Sequence, residues 1–317
     1  FNEFNPGVGV TRKFGDISVY ASYKESSRNP SVAELGCADP DQPCRLPNSF
    51  QADPPLDMVK NRNIELGARG VKAYNLFGMN HNINWNASAY AGRNFNDIIF
   101  IGGNRVGTGY FRNVGNTQRM GTELGLNGKL GNKLSWYGNY SYVRATFETS
   151  QNISSAGHSS NPFECDGAIA GATANDQDTC ESSEGYQIGV GPGDAIPGLS
   201  PHVTRIGIGY APTESFSMAL DTEYNSNQFY RGDENNHHGQ KVPGYFLLNA
   251  SAEFKLTLKA NSPFSTVFFL DGRNLLDTNF ETGGIVAENE VEGTGGSGTF
   301  VTPGQPLSIM GGMHIRW

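Results

Sequence analysis

The sequence has no run of about 18 consecutive apolar residues, the length a helix needs to cross a bilayer, so a transmembrane helix is excluded. Apolar residues are scarce in general, at 37% of 317 residues, with a mean hydropathy of −0.44. A soluble chain of this length ordinarily buries a larger apolar core. Lysine and arginine are absent from two long stretches. Residues 150–200 hold Glu164, Asp166, Asp176, Asp178, Glu181, Glu184 and Asp194, and residues 277–303 hold Asp277, Glu281, Glu288, Glu290 and Glu292. The net charge of −8 therefore belongs to two segments, and the remainder is slightly basic. The basic stripe that nucleic acid requires is missing. Cysteine is rare, with 4 residues in two local pairs, Cys37/Cys44 and Cys165/Cys180. These pairs lack metal-ligand spacing and lie in Gly-, Pro-, Asp- and Asn-rich segments, which reads as two local disulfides in an oxidising compartment. Enzyme signatures are also lacking. Residues 189–198 carry the glycines of a phosphate loop without its lysine or a following helix. His158, His202 and His314 accompany no nucleophile elbow. The expectation is a protein that is not an enzyme and needs no cofactor.

What the sequence does have is period-two alternation, repeated many times. Ile83, Trp85, Ala87, Ala89 and Ala91 alternate with Asn82, Asn84, Asn86, Ser88 and Tyr90. Phe216, Met218, Leu220, Thr222 and Tyr224 alternate with Ser217, Ala219, Asp221, Glu223 and Asn225. Leu134, Trp136, Gly138, Tyr140 and Tyr142 form another such set, and Leu307, Ile309, Met313, Ile315 and Trp317 a last one. This counting gives about eleven strands, near 5–14, 17–26, 59–72, 80–101, 109–130, 133–149, 201–212, 215–230, 243–257, 264–276 and 303–317. Short turns at Gly15-Asp16, 73–79, Gly131-Asn132, Pro212–Glu214 and 258–263 alternate with long loops at 27–58, 102–108, 150–200, 231–242 and 277–302. Short turns on one side and long loops on the other is the pattern of an outer-membrane barrel, whose strands face lipid and a polar lumen in turn. Low mean hydropathy fits that arrangement. A soluble β-sandwich would keep its loops short at both ends and fits poorly.

The fold class expected is thus all-β, a transmembrane antiparallel barrel. If Trp317 ends at the periplasm, the first strand descends from outside and the count is odd, whereas bacterial single-chain barrels have even counts. The opening FNEFNPGVGV also enters in mid-pattern. Both features predict that residues 1–317 are the C-terminal part of a single larger barrel domain.

Four segments carry a family likeness. Ser26–Leu35 (SSRNPSVAEL) resembles a strand end leading into a long extracellular loop, and Asn63–Gly70 (NIELGARG) resembles a strand start, both of TonB-dependent outer-membrane receptors. Asn113–Leu126 (NVGNTQRMGTELGL) and Arg273–Phe280 (RNLLDTNF) are similar to two further elements of the same family, in the same order. The resemblance implies the second half of a 22-stranded barrel with a plugged lumen; the plug and the energy-coupling segment are not in these residues. It also implies a receptor in the outer membrane of a Gram-negative bacterium. Such a receptor would import a scarce ligand, a ferric siderophore or similar chelate, with a TonB-type energy-transducing protein as partner. Membrane lipid and lipopolysaccharide would surround it, and nucleic acid would not be a partner. A passive porin or secretion barrel and an outer-membrane hydrolase are the alternative classes, and a plug upstream of Phe1 would separate them.

An anionic chelate entering a barrel mouth needs aromatic faces and fixed positive charge near strand tops. Such groups recur at Tyr110, Phe111 and Arg112, and at Tyr230 and Arg231, with His237 and His238 following. The other reading of the tyrosines is an aromatic belt at the membrane interface. His237 and His238, with Asp233 and Glu234 beside them, have the ligand types of a metal site but read more simply as solvated loop residues. Glu65, Arg69 and Glu123 fall on the lumen phase of their strands, where they stabilise a wet interior or take part in gating.

Overall fold

A computed structural model describes residues 2–39, 56–76, 78–102, 108–155, 158, 187–257, 265–289 and 296–316. Cys44, Cys165, Cys180 and Trp317 lie outside the described residues. In chain order the elements begin with β1 (Gly7–Phe14), β2 (Ile17–Arg28), a four-residue helix α1 (Val32–Leu35), β3 (Val59–Leu76) and β4 (Met79–Phe95). There follow β5 (Ile98–Gly102), β6 (Gly109–Asn113), β7 (Thr117–Leu130), β8 (Leu134–Phe147), β9 (Gln151–Ser154) and β10 (Gln187–Val190). The remainder comprises β11 (His202–Tyr210), β12 (Phe216–Asn225), β13 (Gln228–Phe229), β14 (Lys241–Val242), β15 (Tyr245–Thr257), β16 (Ser265–Arg273), β17 (Glu281–Asn289), β18 (Gly296–Pro303) and β19 (Ser308–Arg316).

Eleven strands form one antiparallel sheet in the order β1-β2-β3-β4-β7-β8-β11-β12-β15-β16-β19. Every strand pairs with the next wall strand in the chain, so the sheet is a simple meander, and β1 and β19 are its two open edges. The alternation read from the sequence survives pairing. Trp85, Leu126, Gly138, Ile206, Thr222 and Leu248 are successive cross-strand partners on one face. So are Ile208, Leu220, Ala250, Gly272 and Ile309. A slip of one residue in any strand would put all of that strand's apolar side chains on the other face. Leu66, Leu220, Leu270 and Ile309 are 58%, 47%, 54% and 68% exposed, which no water-facing sheet sustains over so many strands. The opposite face runs through Asn84, Asn127, Tyr137, Gly207, Asp221 and Asn249. Tyr137 lies flat over Gly207, where any side chain would strike its ring, and its hydroxyl donates to Asp221 Oδ1 at 2.6 Å. Tyr20 covers Gly67 in the same way and donates to Glu65 Oε1 at 2.7 Å.

The long connections depart from the sequence expectation. Residues 80–101 and 109–130 each divide in two, because Asn96 (φ 54°) and Gly115 (φ 74°) turn the chain out of the wall and start the small hairpin β5–β6. Stretches expected as plain loops hold the paired strands β9–β10 and β17–β18 and the short strand β14, which pairs with β13 at the end of a stretch expected as strand. Helix α1 is also new. Ser31 accepts from Glu34 N–H at 3.2 Å while its own N–H donates to Glu34 Oε2 at 2.6 Å, a reciprocal cap that nucleates the turn. All these excursions leave the same end of the sheet, opposite the short turns. The buried apolar residues gather there, in clusters around Phe147, Ile101 and Ile153, around Leu56, Val59 and Ile98, and around Tyr230, Val242 and Val286.

Candidate ligand-binding face at the long-loop end

Hairpin β5–β6 carries the first group of candidates. Tyr110 is buried within the Phe147 cluster, and Phe111 packs beside Leu56 and Ile98 with its ring edge-on to Phe100 at 5.1 Å. Arg112 extends across to β9, where its guanidinium donates to the Asn152 carbonyl at 3.2 Å. The base of this hairpin is pinned by Asp97. Its carboxylate accepts from Thr117 Oγ1 at 2.6 Å, Arg119 at 2.9 Å, Asn94 Nδ2 at 3.1 Å and the Ile98 N–H at 3.1 Å. Burial alone would raise the Asp97 pKa, but these donors and the guanidinium charge outweigh it and hold the carboxyl below its ordinary value.

The second group sits on the excursion between β12 and β15. Tyr230 is buried against Val242 and Val286, with Gly284 under its ring. Arg231 joins the neighbouring hairpin through its backbone, donating to Gly284 O at 3.0 Å and accepting from Val286 N–H at 2.7 Å. Its side chain is exposed and lies over Gly198. His237 is exposed, and His238 is half-buried. Arg231 and His237 are thus exposed and Arg112 half-buried, whereas the rings of Tyr110 and Tyr230 are buried.

Beneath these residues lies a polar knot. Asp233 is fully buried, and its Oδ1 receives His158 Nε2 at 3.0 Å and the His238 N–H at 3.0 Å. The imidazoles of His158 and His238 stand 5.6 Å apart. Glu234 is buried as well, and one of its oxygens accepts the Gly232 N–H at 3.0 Å. Burial pushes the Glu234 carboxyl above its ordinary value, against the Gly232 N–H bond, which pulls it down. Burial, then the neighbouring His158, pushes His238 down towards the neutral ring. Among the described residues no group of three or more His, Cys, Asp and Glu side chains is arranged to hold a metal ion. Asp233, which the sequence sets beside His237 and His238 as part of a possible ligand set, is engaged by His158 instead.

Sequence reasoning missed His158 as a partner of this loop, and Asp97, Thr117 and Arg119 as the pin of the hairpin. The one local sign was a buried-type polar pattern at Asn94-Phe95-Asn96-Asp97, which breaks the strand alternation. Cys37 is buried and disulfide-bonded. Glu65 and Glu123 lie on the polar face as expected, Glu65 holding Tyr20 and Glu123 opposite Ser88 and Ser141.

Among the described residues, a meandering antiparallel wall, apolar in register on one face and polar on the other, with long packed excursions at one end, matches a section of an outer-membrane β-barrel. The chain belongs to the TonB dependent receptor-like, beta-barrel family, which matches residues 1–275. Members of this family are transport receptors of the Gram-negative outer membrane. No relative among curated proteins matches the sequence. In fold, the chain is similar to the siderophore receptor PiuA from Acinetobacter baumannii, with 16% identity and a TM-score of 0.61, over 98% of this chain and 35% of that one. It is similar to the copper transporter OprC, with 16% identity and a TM-score of 0.60, over 98% of this chain and 38% of that one. The ferric yersiniabactin uptake receptor FyuA from Yersinia pestis gives 14% identity and a TM-score of 0.57, over 98% of this chain and 36% of that one. The chain therefore spans little more than a third of the length of these receptors.

Proposed function

We propose that residues 1–317 form the C-terminal half of the barrel of an outer-membrane active transport receptor, energised by a TonB-type protein. The receptor binds and imports a ferric siderophore or a similar metal chelate. The observation that carries this reading is the asymmetry of the wall: its outer face suits lipid in every strand, and all elaboration is confined to one mouth. A passive pore has little use for excursions tied together by buried hairpins and polar knots. The names of the similar receptors, two for siderophores and one for copper, support a metal-bearing ligand. Arg112, Arg231 and His237 are the first contacts for it, since an arginine presents a permanently charged planar fork to carboxylate or catecholate oxygens.

The test is uptake of a labelled ferric chelate by cells carrying the complete receptor, with and without a working energy-transducing protein. Uptake that is saturable and energy-dependent supports the proposal. Uptake that is linear in concentration and indifferent to the transducer makes the protein a passive pore. Arg231→Ala should weaken binding several-fold while leaving the amount of assembled barrel unchanged. If Tyr230→Ala and Arg231→Ala both leave affinity unchanged, this end of the barrel does not bind the ligand through them.

A further inference from the structure

The outer face ends, towards the long loops, in a row of cations that the sequence shows only as scattered residues. Arg62 and Arg93 are direct cross-strand partners of β3 and β4, and Lys60 and Phe95 are the next pair outward on the same face. Like charges directly opposed on a sheet repel. Both guanidiniums rest on the single Phe95 ring, 5.2 Å and 5.6 Å from its centre. The carboxylates nearby do little to neutralise them. Glu25 reaches Arg62 Nε at 3.3 Å but is shared with the Tyr23 hydroxyl, and Glu148 stands 3.9 Å from Arg93. Neither contact is bidentate. Arg62 and Arg93 side chains stay 58% and 46% exposed. Lys60 is held by Glu3 at 2.9 Å, and exposed Arg144 flanks the row two strands further on, opposite Met120.

Directly below this row the same face changes character. Ile64 and Ala91 come next, and then a shallow apolar hollow floored by Ala21, Ala68, Ala87 and Ala89 between Leu66 and Leu124. At about 3.3 Å per residue, Leu66 lies roughly 13 Å along β3 from Arg62. A doubled cationic fork over an apolar trough at acyl-chain distance matches an amphiphile with a phosphate head.

We propose that Arg62 and Arg93, flanked by Lys60 and Arg144, bind a phosphate group of an outer-leaflet phosphoglycolipid whose acyl chain lies in the hollow between Leu66 and Leu124. The phosphate bridges the two guanidiniums and removes their mutual repulsion, each fork offering the paired N–H donors that suit phosphate oxygens. This inference rests on the membrane-receptor reading, since it needs the outer face to meet lipid.

The test uses the complete receptor, purified in detergent and offered phosphorylated lipid A, dephosphorylated lipid A or inorganic phosphate, with bound lipid counted by native mass spectrometry. The parent should retain phosphorylated lipid A through detergent exchange, at least tenfold more than the dephosphorylated form. Arg62→Gln/Arg93→Gln should lose that preference, and Arg62→Lys/Arg93→Lys should keep part of it. Equal retention by the glutamine variant, equal retention of the dephosphorylated lipid, or inorganic phosphate displacing lipid A at equimolar concentration would each overturn the proposal. Heat-modifiable gel mobility of parent and variant, measured in parallel, reports barrel folding separately. A parent that never inserts into membranes refutes the receptor reading, whereas an inserted parent that retains no phosphorylated lipid refutes only this site.

Discussion

Replacing Asp97 by alanine should release hairpin β5–β6, and with it Tyr110, Phe111 and Arg112, without opening the wall. The carboxylate holds four donors within 2.6–3.1 Å, one of them the hydroxyl of the wholly buried Thr117. Bonds to a charged acceptor contribute about 1.5–3 kcal/mol each and do not add. Removing one member of a buried ion pair costs about 3–5 kcal/mol. Because Arg119 is partly exposed and recovers solvation, the lower end of that range, about 3 kcal/mol, is the reasonable expectation. Amide exchange across residues 98–113 should then accelerate at least about a hundredfold, since 1.4 kcal/mol is tenfold in an equilibrium. Exchange in the paired residues of β11 and β12 should stay unchanged. Asp97→Asn, which keeps one acceptor oxygen but loses the charge and the second acceptor, should fall between. The same site has a pH signature. A carboxyl held below its ordinary value stabilises the fold above the unfolded pKa and loses that contribution as pH falls through its lowered one. The hairpin should therefore loosen in strong acid, below the ordinary aspartate value of 3.8, and not near neutrality. Exchange across 98–113 in Asp97→Ala no faster than in the parent would refute the reasoning.

Leu220→Arg should cost about 2–4 kcal/mol in folding titrations into bilayers, because its phase faces lipid, whereas Asn84→Arg should cost no more than about 1 kcal/mol for the lost bond to Asn127. Equal penalties would mean that the assigned faces are wrong. Non-reducing peptide mapping should recover Cys37–Cys44 and Cys165–Cys180 linkages, and Cys37–Cys165 or Cys44–Cys180 peptides would refute local pairing. Around residues 230–238, Glu234 is pushed up, so its contribution is complete below its ordinary 4.5 and falls as pH rises towards the raised value. His238 is pushed down, so its contribution is complete above its ordinary 6.5 and falls in acid. Exchange protection there should decline on both sides, and Glu234→Gln should flatten the alkaline side alone; an unaltered alkaline decline would argue against the raised Glu234 pKa as its cause.

The wall was legible in the sequence because each of its strands repeats one physical rule, and a rule repeated eleven times survives errors at single positions. Ile83, Leu220 and Ile309 fall on the face their alternation assigns. The excursions were not legible for the converse reason. Their hairpins depend on single backbone departures such as Asn96 and Gly115, and on burial that exists only once the loops pack together. His158 and Asp233 lie 75 residues apart, and nothing local to either predicts the other. Arg62 and Arg93 were visible as residues, but the pairing of β3 with β4 is what makes them one site.

The ties among the excursions bear on how ligand choice is built. Phe111 N–H reaches the Cys37 carbonyl, and Asp57 and Asn113 exchange bonds at 2.8 and 3.1 Å. Gln151 Nε2 donates to the Val114 carbonyl at 3.0 Å, linking β9 to the β6–β7 turn. Asn236 clasps Ala195, accepting its N–H at 2.6 Å and donating to its carbonyl at 3.0 Å, much as a strand neighbour would. Gln228 Nε2 donates to the Thr282 carbonyl at 3.1 Å, and Arg231 joins the same hairpin. Each excursion thus completes the hydrogen bonding of the next, from α1 round to β17–β18. A transplanted excursion would leave its neighbours' buried groups unsatisfied, at about 1–3 kcal/mol each. Under the proposed function, ligand choice is therefore best altered at exposed side chains such as Arg231 and His237, which can change while the ties beneath them hold.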